Sequence, residues 1–164
     1  MLFDNVADLA GIKGDKRQLA FCDDAEVPFT WDGTNWVVSN RTVVLKSQVV
    51  VNASTTGNTK IYTTPTSALT FYPTMVLFKA VSISGVTLRP TVSVGTNSTA
   101  YDNIASASLL NSLLGTLGAT GSAPQLATTT YPVAGGTDIY VRVSIGGVFT
   151  SYTFTVYILG FYDN

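Results

Sequence analysis

Asp138-Ile-Tyr-Val-Arg-Val-Ser-Ile145 alternates without a break: Ile139, Val141, Val143 and Ile145 fall on one side, Tyr140, Arg142 and Ser144 on the other. A period of two with one apolar face marks a half-buried β-strand. Gly146-Gly147 follows, then Phe149-Thr-Ser-Tyr-Thr-Phe-Thr-Val-Tyr-Ile-Leu-Gly-Phe-Tyr162, so the two runs read as a hairpin of the Gly-Gly type. In the closing run Tyr152, Phe154, Val156 and Ile158 share one face, while Thr153, Thr155, Tyr157, Leu159 and Phe161 share the other. Its first half is apolar on one face, its second half on both. A strand apolar on both faces needs two covers, and in a two-layer sandwich the second cover is another subunit.

Working back from this end, the same chemistry recurs. Thr42-Val-Val-Leu-Lys-Ser-Gln-Val-Val-Val51 is rich in β-branched residues and reads as one long strand. A polar turn from Asn52 to Asn58 leads to a strand at Lys60-Ile-Tyr-Thr63. Ala68-Leu-Thr-Phe-Tyr72 and Thr74 to Ile83 read as two strands separated by Pro73, which has no N–H for a ladder. Val86 to Leu88 and Thr91 to Val94 follow. Tyr101 to Gly115 is open to two readings. Asp102 can cap a helix carrying Ile104, Ala107, Leu110 and Leu114 on one face, or the serines can hold the segment extended. Thr116 to Gly136 reads as loop, with one strand at Gln125 to Thr130.

The first forty residues differ in kind. Seven of the ten acids (Asp4, Asp8, Asp15, Asp23, Asp24, Glu26, Asp32) lie there, with Lys13, Lys16 and Arg17. Val6-Ala-Asp-Leu9 suits a helical turn ended by Gly11 and Gly14, and Gln18 to Cys22 a short strand. Val27 to Trp31 and Asn35 to Val38 flank Asp32-Gly33-Thr34, a hairpin signal because Gly takes the positive φ of the turn. Trp31 and Trp36 bracket that turn. By contrast, Ile61 to Asn164 carries only Lys79, Arg89, Asp102, Asp138, Arg142 and Asp163 as charged residues. A dispersed monomer needs surface charge, so this segment is expected to hide its outside against copies of itself or another protein. The expected division is therefore 1–40, an attachment module with a β-hairpin, and 41–164, an all-β jelly-roll-like sandwich.

Composition removes many functions. At 164 residues with 46% hydrophobic side chains, the chain can bury a real core. Net charge is −1 with no basic run, which argues against nucleic acid as partner. No stretch of about 20 apolar residues spans a membrane, and the acidic start is unlike a secretory signal. The Asn-x-Ser/Thr triplets at Asn40, Asn52 and Asn97 then read as chance matches. Without any histidine, a Ser-His-Asp triad and the commonest zinc ligand are gone. Cys22 is the only cysteine, so no intrachain disulfide forms, and it reads as a small buried hydrophobe. Asp23, Asp24, Glu26 and Asp32 have the chemistry of a carboxylate pair or calcium site but not the spacing of a calcium loop. They are better read as solvating two turns. The Gly runs at Ala134 to Asp138 and Ser144 to Gly147 lack the Lys and helix of a phosphate loop. Tyr62, Tyr72, Tyr140 and Tyr152 suit either sugar stacking or core and subunit contacts, the latter preferred. No enzyme activity, cofactor or metal is expected.

Two stretches carry a resemblance. Ala25-Glu-Val-Pro-Phe-Thr-Trp-Asp-Gly-Thr-Asn-Trp-Val37 resembles the Trp-Asp-Gly hairpin modules near the N-termini of tailed-bacteriophage fibre and head-fibre proteins. The segments Ile61-Tyr-Thr-Thr-Pro65 through Phe71-Tyr-Pro-Thr74, Thr91 to Ile104 and Ala134 to Val141 are similar to trimeric jelly-roll domains of small phage virion proteins. The resemblance implies a homotrimeric virion structural protein, assembled in the host cytoplasm. Its short chain, starting at its own Met with no fibrous shaft, suits a capsid decoration (cement or head-fibre) protein. Phe3, Leu9, Phe29, Trp31 and Trp36 are then the expected contacts with the major capsid protein or another virion protein. Tyr157, Leu159, Phe161 and Tyr162 are the expected subunit interface. The alternatives are a receptor-binding tail-fibre or tail-tip protein that recognises host glycans, and a non-viral carbohydrate-binding module.

Overall fold

The computed structural model describes residues 1–22, 25, 28–39, 42–66, 69–84, 90–110, 120–122, 131–145 and 151–163. Strands β1 (Leu2–Phe3), β2 (Leu19–Cys22), β3 (Phe29–Trp31) and β4 (Trp36–Val38) form one sheet in that order. β1 runs parallel to β2 and the other pairs are antiparallel. The hairpin closes as its sequence predicts: Asp32 Oδ1 accepts from the N–H groups of Thr34 (2.7 Å) and Asn35 (2.8 Å), and Gly33 takes φ +113°. Val6–Leu9 is a 3-10 turn. Beyond it the chain passes close over the tryptophans, where a Cβ on Gly14 would stand 2.9 Å from atoms of both side chains. Trp36 Nε1 donates to the Ile12 carbonyl at 2.9 Å, and the rings of Trp31 and Trp36 meet edge to face at 5.6 Å.

The remaining strands are β5 (Thr42–Lys46), β6 (Val51–Asn52), β7 (Gly57–Thr63), β8 (Thr70–Ser84), β9 (Thr91–Gly95), β10 (Ala105–Leu109), β11 (Thr120–Ser122), β12 (Asp138–Ile145) and β13 (Ser151–Asp163). They build two sheets, ordered β11-β8-β13-β5, with β6 also on β13, and β10-β9-β12-β7. Every described pairing in both is antiparallel, and successive strands switch sheets at each step except β5 to β6 and β9 to β10. This is an all-β jelly-roll sandwich. Ile139, Val141 and Val143 of β12 and Val92 and Val94 of β9 form the inner face of one sheet; Phe71, Val76, Phe78, Phe154, Val156 and Ile158 line that of the other. Phe78 and Phe154 pack edge to face at 5.5 Å. No α-helix occurs among the described residues.

Several sequence expectations are corrected. Thr42 to Val51 is not one strand. At Ser47 the side-chain oxygen accepts from the Val156 N–H (3.0 Å), and the chain leaves the ladder until β6. Val49 and Val50 are exposed in between, so their β-branched chemistry did not place them in a strand. Pro73 does not divide its run into separate strands. It sits inside β8, opposite Gly160, where a bulge absorbs the missing donor and Thr74 Oγ1 donates to the Leu159 carbonyl at 3.1 Å. Gly146-Gly147 does not join a hairpin: β12 and β13 belong to opposite sheets, and residues 146–150 lie outside the described set.

Of the two readings for Tyr101 to Gly115, the extended one holds where described, as β10; the helix cap does not form. Asp102 instead bonds Asn97, its N–H donating to Asn97 Oδ1 and its Oδ1 accepting from Asn97 Nδ2. Thr120–Ser122 is a strand inside the segment expected as loop. The strands expected at 86–88 and 125–130 fall outside the described residues. Ile145 leaves the inner row and is 54% exposed, because a register shift after Val143 pairs it with outward-facing Thr91.

Candidate subunit interface

Strand β13 presents two different faces. Tyr152, Phe154, Val156, Ile158 and Tyr162 point into the sandwich and are buried. Thr153, Thr155, Tyr157, Leu159 and Phe161 point away from it. Register places cross-strand neighbours beside them on this outer face. Val44 of β5, Leu159 and Met75 of β8 lie in one row; Lys46, Tyr157 and Leu77 lie in the next. Phe161 stacks on Tyr72 at 5.1 Å with the rings 11° from parallel. Val44 is 56% and Met75 43% exposed, so the centre of this sheet shows an apolar row to solvent, with Lys46 and Lys79 at its flanks. A contiguous apolar row of this kind is the candidate contact surface of the sandwich.

Of the four interface residues expected from sequence, Tyr157, Leu159 and Phe161 thus come together on this outer face. Tyr162 does not. The alternation of β13 carries it to the inner side with Ile158, 1% exposed, its ring 5.2 Å from that of Phe71. It has no surface to offer a second subunit. Val44 and Met75 join the face without having been expected there. Both sit in runs that read as strands, but which side they take follows only from their register with β13.

Of the capsid contacts expected from sequence, Leu9 in the 3-10 turn and Phe29, Trp31 and Trp36 in the N-terminal sheet are buried, and Phe3 is half-buried. Leu9, Phe29 and the tryptophans line, with Ile12 and the 3-10 turn, a cleft of about 580 Å³. The outer side of this sheet is apolar too, which the sequence reading did not anticipate: Leu2 is 81%, Phe21 48% and Leu19 46% exposed. The alternation Leu19-Ala-Phe-Cys22 is the signal for it, since it puts Ala20 and Cys22 inward and Leu19 and Phe21 outward.

No group of three or more His, Cys, Asp or Glu that could hold a metal occurs among the described residues. Asp23, Asp24 and Glu26 of the acid cluster fall outside them. The described acids with perturbed titration have structural partners. Two backbone N–H bonds, from Asn35 and Thr34, hold the Asp32 carboxyl below its ordinary pKa. The Thr63 hydroxyl, at 2.6 Å, and then Lys60, at 3.4 Å, do the same for Asp138. Both shifts favour the ionised form, the wrong direction for a general acid at neutral pH. Of the tyrosines considered for stacking, Tyr62 and Tyr152 are buried, Tyr72 packs on Phe161, and Tyr140 stands half-buried on the other sheet.

No protein-family model and no curated protein matches the sequence. Solved structures do match in fold. A chain of the cyanophage Pam1 capsid asymmetric unit superposes with a TM-score of 0.51 at 14% identity, over 73% of this chain and 84% of that one. A chain of the acidic stable capsid of Helicobacter pylori bacteriophage KHP30 gives 0.51 at 14% identity, over 76% of this chain and 90% of that one. At that identity the likeness is one of fold.

Proposed function

We propose that this chain is a structural protein of a tailed-phage virion, specifically a homotrimeric capsid decoration protein. The observation that carries the reading is the outward-facing row Val44–Leu159–Met75, exposed at Val44 and Met75, with Tyr157, Leu77 and the Phe161–Tyr72 stack beside it, on the outer face of the β11-β8-β13-β5 sheet. A jelly roll with one apolar outer face gains by closing that face against copies of itself, and cyclic symmetry lets three copies do so without leaving an open edge. The likeness in fold to chains from two phage capsids supports the setting. Residues 1–40 attach the trimer to the major capsid protein or another virion protein. The role is structural, not catalytic.

Light scattering on the full chain tests the assembly. The expected mass is three times 17.4 kDa. A monomeric mass at micromolar concentration overturns the trimer, and failure to co-sediment with capsids overturns the decoration role.

A further inference from the structure

The β10-β9-β12-β7 sheet has a very different outer face. Asp138, Tyr140 and Arg142 project outward from β12, Lys60 and Thr63 from β7, and Ser93 and Gly95 from β9. The loop 96–103 folds over this face and is fixed there. The N–H groups of Thr96 and Asn97 both donate to Asn103 Oδ1 (2.8 and 3.4 Å), and Asn103 Nδ2 donates to Thr96 Oγ1 at 2.9 Å. Asn97 and Asp102 exchange two more bonds, and Ser93 Oγ donates to the Ala100 carbonyl at 2.9 Å. Gly95 makes room for the fold-over: a Cβ there would strike Asn103 Oδ1 and stand 2.6 Å from the Tyr101 carbonyl carbon.

The product of this bracing is an unusual tyrosine. Tyr101 has φ +49° and lays its ring 4.9 Å from that of Tyr140. A non-glycine residue in the left-handed region is strained and persists where its surroundings impose it, often at a binding site. The two half-buried rings are edged by polar groups already held in place. Arg142 Nη1 donates to the Thr99 carbonyl at 2.6 Å and has no carboxylate partner among the described residues. Asp138 is held by Thr63, Lys60 and the Tyr140 hydroxyl.

The identity of a ligand follows from what is beside the rings. Lys60, Thr63, Asp138 and Arg142 are all polar, so beyond the two rings the patch lacks the extended apolar core around which a protein contact is built. Lys60 is neutralised by Asp138, so the patch lacks the charge excess that phosphate backbones need. Aromatic faces next to fixed planar donors and acceptors suit a ring with apolar C–H faces and a hydroxylated edge. We propose that this face is a carbohydrate-binding site, in which Tyr101 and Tyr140 stack on a pyranose and Asp138 and Arg142 bond its hydroxyls. It does not depend on the assembly role, because every residue involved lies on the sheet away from the Val44–Leu159–Met75 row.

The test uses the full chain on an array of immobilised hexose, N-acetylhexosamine and uronate oligosaccharides, then titration calorimetry with the best-bound oligosaccharide. Saturable binding is expected, weakened about tenfold or more by Tyr140→Ala and by Tyr101→Gly, and kept by Tyr140→Phe, which retains the ring. Glycine at 101 adopts the same φ without strain, so that variant remains informative if Tyr140→Ala does not fold. Absence of array binding by the unmodified chain, or binding that survives both ring-removing variants, overturns the proposal. An unchanged mass by light scattering in every variant separates this result from any failure of the trimer.

Discussion

At Gly160 the bulged pairing with β8 leaves no room for a side chain. A Cβ there would meet the Tyr72 carbonyl oxygen and stand 2.6 Å from the Phe71 ring, and neither backbone nor a buried ring can yield cheaply. Gly160→Ala is expected to destabilise the chain by about 1–3 kcal/mol; an unchanged thermal midpoint would contradict this packing. Charge offers a second handle. The folded-state pKa of Asp138 lies below its unfolded value, so its ionised form stabilises the fold above the unfolded pKa, and that contribution is lost as pH falls through the folded value. Melting temperature should therefore drop below about pH 4, and Asp138→Asn should flatten part of that drop. The carboxylate is exposed, so the effect is small and weakens with salt. Identical pH profiles for the two proteins would show that the Thr63 and Lys60 contacts contribute nothing. Neither residue's setting was legible beforehand. Gly160 sits in an apolar run with nothing nearby in sequence to mark it, and Asp138 meets Thr63 across 75 positions.

Strand β13 shows how three residues of spacing separate surface from core. Leu159 faces outward between Val44 and Met75, whereas Tyr162 is packed on Phe71 inside. Leu159→Arg should lower the mass in light scattering while leaving the thermal midpoint of the dispersed chain close to that of the unmodified one, since the residue has no place in the chain's own core. Tyr162→Ala, by contrast, should cost about 3 kcal/mol or more in chemical denaturation, as truncating a buried aromatic does. Equal behaviour of the two variants would mean that the two faces of β13 do not differ in role. The alternation of β13 and β12 was readable because a period of two is local. The bulges were not: the extra residue at Thr74 and the shift after Val143 exist only through the partner strand. The first of them turns Met75 outward in the same strand that holds Phe71 inward.

At the scale of the molecule, the sheet of β1–β4 and the sandwich of β5–β13 are built from separate stretches of chain, and among the described residues no strand is shared between them. A chain starting at residue 42 is therefore expected to keep its β-rich circular dichroism and its oligomeric mass, and to lose attachment to capsids in a sedimentation assay. Truncated protein that still binds particles would refute the assigned division of labour. The all-β class, the Asp32-Gly33 hairpin and the contrast between a charged start and a charge-poor remainder came from the sequence alone, because each rests on composition or on neighbours a few residues apart. The tertiary structure decided the rest: that β12 and β13 lie in opposite sheets, that Ser47 interrupts a run of valines to meet Val156 across 109 positions, that Phe71 is core while Val44 and Met75 are surface. Those outcomes depend on which distant strands pair and in what register, and a one-residue shift in pairing turns an inward side chain outward.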